Sequence, residues 1–131
     1  MPVQKQAVTF GTYGERVYGY AQAVRVGDTI YVSGQTALGE GGRIVGEGDM
    51  RAQMRQAYAN IARALQSCGA DMGSVVDETL YVTDMAAASA VAAEVRREAY
   101  GGAPEVASTL VQVAALGAPA LLVEIRCIAR V

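Results

Sequence analysis

The pair of residues in this chain best placed to do chemistry is Glu124 and Arg126. They fall in a run, Leu121 to Val131, whose alternate members Leu121, Val123, Ile125, Cys127 and Ala129 are all apolar. The intervening set, Leu122, Glu124, Arg126, Ile128 and Arg130, mixes apolar and charged side chains. Two residues apart on a strand share one face at about 6.6–6.8 Å. A carboxylate there can move protons, and a guanidinium beside it can hold an anion or pair with it and lower its basicity. On the residues alone, Glu124 reads as an interface charge and Arg126 as half of an intersubunit ion pair. His is absent, which removes Ser–His–Asp and Cys–His chemistry and the commonest metal ligand. Cys127 alternates onto the apolar side as a small core residue, and Cys68, near a helix end, has no activating base in view. Glu15 sits among the glycines and tyrosines of 11–19 and reads as a solvated charge on a structured loop, the other reading being a second acid that reaches a cleft.

The elements that must position these residues fit one domain spanning 1–131. At 52% hydrophobic and 18% charged residues the chain can bury a real core, and with no Trp and one Phe that core is aliphatic. An N-terminal strand is expected in 3–10, then strands over 20–26 and 29–33 joined by the turn pair Gly27–Asp28. The glycine-rich stretch 39–48 lacks the Lys-Ser/Thr ending of a phosphate loop and reads as a surface turn. Asp49 caps a helix in which Met50, Met54, Ala57, Tyr58, Ile61 and Leu65 recur at helical spacing, and Gly69 ends it. A strand over 75–83 leads to a second helix, capped by Asp84, with an apolar stripe of Ala88, Val91, Val95 and Ala99, stopped at Gly101–Gly102. Strands over 108–116 and 121–131 follow. The expected order is β-β-β-α-β-α-β-β.

Two helices can cover only one face of such a sheet, so the other needs a partner or water, and an oligomer is expected. The formal charge of −2 and scattered basic residues argue against a nucleic-acid surface. Two cysteines without a pairing signature or signal peptide suggest a reducing cytoplasm. No apolar run approaches the ~18 residues of a membrane span.

Four segments carry a resemblance: Tyr20-Ala21-Gln22-Ala23-Val24-Arg25-Val26-Gly27-Asp28-Thr29-Ile30-Tyr31-Val32-Ser33-Gly34-Gln35, Thr79-Leu80-Tyr81-Val82-Thr83-Asp84-Met85, Val111-Gln112-Val113-Ala114-Ala115-Leu116 and Leu122-Val123-Glu124-Ile125. In order and spacing they resemble the Rid (reactive intermediate deaminase, formerly YjgF) family over nearly the whole chain after about residue 18. The resemblance implies a chorismate-mutase-like α/β fold, a homotrimer with small-molecule sites in clefts between subunits, hydrolysis of reactive enamines and imines, and no cofactor. It assigns water handling to Glu124 and a pocket-shaping part to Tyr20 and Ser33.

The family's carboxylate-binding Arg does not carry over. Counting back from Val111-Gln112-Val113, its position is Ser108, within Glu105-Val106-Ala107-Ser108-Thr109, and an Asn often found in the second helix is Ala92. That form resembles subgroups lacking the Arg. A bidentate Arg–carboxylate pair contributes about 1.5–3 kcal/mol, and one neutral hydroxyl replaces it, so a free 2-imino acid should bind weakly unless another cation such as Arg126 substitutes. The expected activity is acid/base chemistry by Glu124 on an imine, enamine or related carbonyl compound, with Tyr20, Ser33, Ser108 and Arg126 around the substrate. The alternatives are a non-catalytic trimer that binds a metabolite or protein in the same clefts, and a ribonuclease.

Overall fold

In the computed structural model, which describes residues 2–131, six strands form one mixed sheet. In chain order the elements are β1 (Gln6–Val8), α1 (Tyr13–Tyr18), β2 (Ala23–Val26), β3 (Thr29–Gln35), α2 (Met50–Gln66), β4 (Val75–Val82), α3 (Met85–Tyr100), β5 (Ala107–Gln112) and β6 (Val123–Arg130). The sheet order is β1-β2-β3-β6-β4-β5, so β6, the last strand in the chain, lies between β3 and β4. Only β4 and β5 run parallel, joined through α3, as a parallel pair requires a crossover.

Local chemistry accounts for most boundaries. Gly27, at φ 56, opens the two-residue turn that pairs Val26 with Thr29. The Asp49 carboxylate accepts the Ala52 amide at 3.0 Å and starts α2. At the other end the amides of Gly69 and Ala70 return to the carbonyls of Gln66 and Leu65, with Gly69 at φ 75, which is a Schellman close. Asp84 caps α3 on Ala87, and Gly101 ends it in the left-handed region. The stretch 39–48 is a surface turn held by a bridge between Leu38 and Ile44.

Both long helices lie on one sheet face. Met54, Ala57, Ile61 and Leu65 of α2 and Ala88 and Val95 of α3 are buried against Ile30, Val32, Leu80 and Val82. The β6 residues expected to face the helices, Leu121 through Ala129 in alternation, are all buried. The opposite face carries Tyr31, Tyr81, Glu124, Arg126 and Ile128, and no helix covers it. Among the described residues no helix is long and apolar enough to cross a membrane, and no cluster of three or more His, Cys, Asp or Glu could hold a metal.

Three expectations need correction. The stretch 11–19 is a helix rather than a loop: Thr12 and Glu15 form a reciprocal capping box, and Gly19, at φ 74, closes it. Glu15 is therefore not solvated. It is 8% exposed and accepts the amides of Phe10, Gly11 and Thr12 and the Gln22 side chain. Finally, β5 stops at Gln112 instead of 116, because its neighbour β4 ends at Val82 and only the Val113 amide still finds a carbonyl there.

Candidate active site

Glu124 stands in the middle of the uncovered face. Its strand is the sheet's central one, and the alternation that buries Val123 and Ile125 under the helices sends Glu124 the other way. On one side it pairs in register with Tyr81 of β4. On the other, β3 bulges between Val32 and Gln35, and the extra residue brings Gly34 under the carboxyl. A Cβ at Gly34 would come within 2.5 Å of Glu124 Oε2 and 2.6 Å of Cδ. Glycine at 34 is thus what lets the carboxyl lie down against the β3 backbone.

The carboxyl is half-buried, and burial pushes its pKa above the usual carboxylate range. Among the described residues no cation offsets this. Arg126 shares the face, opposite Thr79, yet among the described residues it makes no ion pair with Glu124 or any other acid. Of the two parts weighed for Arg126, lowering the basicity of Glu124 within the chain does not occur.

The remaining candidates divide. Ser33 follows Tyr31 onto the uncovered face, where its hydroxyl donates to the Ala21 carbonyl at 2.6 Å and ties the end of β3 to the segment before β2. Beside it a buried polar chain runs from Glu15 through Gln22 to Gln35, whose amide also donates to the Ser33 carbonyl at 3.0 Å. This chain fixes the bulge on which Gly34 sits. Tyr20, 42% exposed, rests its hydroxyl against Gly14 of α1.

Ser108 goes elsewhere. It pairs in register with Glu78, which belongs to the helix-facing set of β4, and its hydroxyl donates to Glu78 Oε2 at 2.6 Å. The structure therefore puts Ser108 on the opposite side of the sheet from Glu124 of the same chain.

Around Glu78 is a constellation that the sequence reading did not single out. The Glu78 side chain is fully buried and accepts from Tyr58 at 2.8 Å, Tyr100 at 2.7 Å, Arg96 at 2.8 Å and Ser108. Burial and the adjacent carboxylate push both tyrosines far above the ordinary phenol range and hold them as donors. A signal existed: in β4 the core-facing alternation Glu78, Leu80, Val82 puts a charge where a hydrophobe is expected, and such a residue needs partners. Tyr81, beside Glu124, was visible as its alternate, but its pairing with β6 was not.

A single sheet with both long helices on one face and an isolated carboxyl on the other defines a class: small mixed α/β proteins that place an acid on a face left open to a partner. Solved structures that share the fold include two at more than 30% identity. A Mycobacterium tuberculosis protein of the YjgF/YER057c/UK114 family superposes with a TM-score of 0.83 at 38% identity, covering 98% of this chain and 100% of that one. RidA from the Antarctic bacterium Psychrobacter does so at 0.79 and 31% identity, covering 100% and 99%. A mouse 2-iminobutanoate/2-iminopropanoate deaminase is 36% identical over 66 residues, 50% of this chain and 49% of that protein. The chain spans about half the length of the first curated relatives it matches. The endoribonuclease L-PSP family model matches residues 15–131, and the chain belongs to that family, the YjgF/Rid family, with its chorismate-mutase-like fold.

Proposed function

We propose that the protein is an acid/base enzyme acting on small imines, enamines or related carbonyl intermediates, with Glu124 as the proton-transfer group. The observation that carries this reading is the Glu124 carboxyl: half-buried, raised in pKa, unpaired by any cation among the described residues and seated against Gly34 on an open face. A base works best when its pKa lies nearer the working pH, and burial moves Glu124 in that direction. In hydrolysis, water adds to the imine carbon as the carboxylate takes one of its protons. The carboxylic acid returns that proton to nitrogen, giving a carbinolamine. Glu124 then takes the hydroxyl proton and delivers it to nitrogen as the C=O bond forms and the C–N bond breaks, and a carbonyl compound and ammonia leave. No redox partner is needed, and Glu124 ends as it began.

The uncovered face, with Tyr31 45% exposed beside Ile128, suits a homotrimer whose clefts lie between subunits. Ser33 then holds the backbone at the cleft wall rather than touching the reacting atoms, since its hydroxyl already donates to Ala21.

The test is a coupled assay in which an amino-acid oxidase generates imines and semicarbazide traps what remains. Wild type should suppress trapping, and Glu124→Gln should abolish that suppression. Gly34→Ala should fold but lose at least about ten-fold in rate, because the new methyl displaces a flexible side-chain end that must be well placed. An inert wild type, or a Glu124→Gln variant as active as wild type, overturns the reading in favour of a binding module.

A further inference from the structure

Glu15, Gln22 and Gln35 are buried polar side chains that the proposed proton transfer does not use. Each is bonded to the next, and the bonds have a direction. An ionised carboxylate only accepts hydrogen bonds, whereas a side-chain amide has one accepting end and one donating end. Glu15 Oε1 accepts the amides of Phe10, Gly11 and Thr12, and Oε2 accepts Phe10 and, at 2.7 Å, Gln22 Nε2. Gln22 therefore turns its donating end to Glu15 and its oxygen the other way. That oxygen accepts Gln35 Nε2 at 2.8 Å, and the same nitrogen donates to the Ser33 carbonyl at 3.0 Å. Among the described residues no cation pairs with Glu15, so the acceptor-only carboxylate sets the direction of the whole chain of bonds.

The direction ends on Ser33. Its amide donates to the Gln22 carbonyl at 2.9 Å and its hydroxyl to the Ala21 carbonyl, so Gln35 supplies the remaining restraint, at the Ser33 carbonyl. That carbonyl belongs to the peptide leading into Gly34, the glycine against which the Glu124 carboxyl lies. Gln35 is buried and pairs with Ile125, of the helix-facing set, so it holds this peptide from the side of the sheet away from Glu124. At a bulge the peptide planes are not fixed by ladder bonds, and a rotation there moves the surface on which Glu124 rests.

We propose that Glu15 is a positioning residue for Glu124: its charge orients the amides of Gln22 and Gln35 so that the last donor holds the Ser33–Gly34 peptide beneath the Glu124 carboxyl. The consequence depends on atom type rather than shape. In Glu15→Gln the side chain keeps its outline, but only one end of it accepts. Backbone amides crowd the Oε1 side, so the oxygen stays with them and the new NH2 group faces Gln22. Gln22 then turns over, Gln35 follows, and an oxygen of Gln35 comes against the Ser33 carbonyl, where two acceptors repel. Moving the carboxylate one step along, in Glu15→Gln with Gln22→Glu, gives every bond a donor and an acceptor again. Gln35 is then free to donate to Ser33. The inference rests on Glu124 as the working group proposed above, and concerns what holds that group.

The test follows the Glu124 carboxyl by carboxyl-carbon NMR across pH in the intact protein, its signal assigned by its loss in Glu124→Gln. In wild type it should titrate above the exposed glutamates. Glu15→Gln, checked for folding by thermal unfolding, should bring that midpoint down toward theirs as the carboxyl loses its seat and hydrates. Its rate in the semicarbazide assay should fall about ten-fold or more. Glu15→Gln with Gln22→Glu should return both toward wild type. Gln35→Met leaves the α1 cap untouched and should reproduce the Glu15→Gln result, which keeps the test decisive if changes at 15 or 22 unfold the chain. A Glu124 titration unmoved in Gln35→Met or in folded Glu15→Gln overturns the proposal, as does a folded double variant no closer to wild type than Glu15→Gln. The two readings fail separately. An inert wild type whose Glu124 titration still shifts and recovers sinks the part given to Glu124 and leaves the positioning standing; turnover with an unmoved titration does the reverse.

Discussion

Glu124 shows how one side chain links stability to chemistry. Its pKa is raised in the folded protein by burial, so the folded state binds this proton more tightly than the unfolded chain does. The resulting contribution to stability is present below the unfolded value and is lost as pH rises through the higher folded one. Two measurements follow from the same sign. Rate plotted against pH should rise through a limb displaced upward from where an exposed glutamate titrates, since the base form is the working form. Unfolding midpoints of wild type relative to Glu124→Gln should fall as pH climbs through that range, and a pH-independent difference would mean the carboxyl is not desolvated. That Glu124 might matter was readable from its alternation on β6; that Gly34 lies beneath it was not, because the contact depends on a bulge in a strand distant in sequence.

Among the elements, α1 is where reading the residues by type went wrong. Three glycines and two tyrosines in 11–19 look like a loop, yet Thr12 and Glu15 stand at the spacing of a capping box and one short helix forms. Burial raises the Glu15 pKa, but the amides of Phe10, Thr12 and Gly11 and the Gln22 side chain together bring it below the usual value. Stability from Glu15 is therefore present above the unfolded pKa and is lost as pH falls through the depressed folded one. Glu15→Ala should cost about 1–3 kcal/mol at neutral pH, by chemical denaturation, from loss of the cap and of hydrogen bonds to a charged group. A change under a few tenths would mean the network around Gln22 and Gln35 stands without it. The long helices and the strands were legible because their periods are local properties: the Asp49 and Asp84 caps, the Gly69 close and the β6 alternation each involve neighbours only. The pairing of β5 with β4, which sends Ser108 to Glu78 rather than toward Glu124, is not local and left no mark in the residue pattern.

At the scale of the whole molecule, Ser108 and Glu124 lie on opposite faces of a single sheet, and only a second copy can bring a Ser108 to a Glu124. If copies meet through the uncovered face, Tyr31→Asp on that face should reduce the mass seen by light scattering from a trimer's toward a monomer's. A mass unchanged by that substitution would mean that copies do not meet through this face.

The position of β6 has a consequence for how the protein comes into being. Of the six described strands the one made last is at the centre, so before residues 123–130 leave the ribosome the strands already made form two half-sheets, β1-β2-β3 and β4-β5, each with a bare edge. Those edges are the ones that β6 will join, and they are open to any other strand in the meantime. A chain stalled before residue 123 would therefore carry both half-sheets and nothing to unite them, a natural client for chaperones.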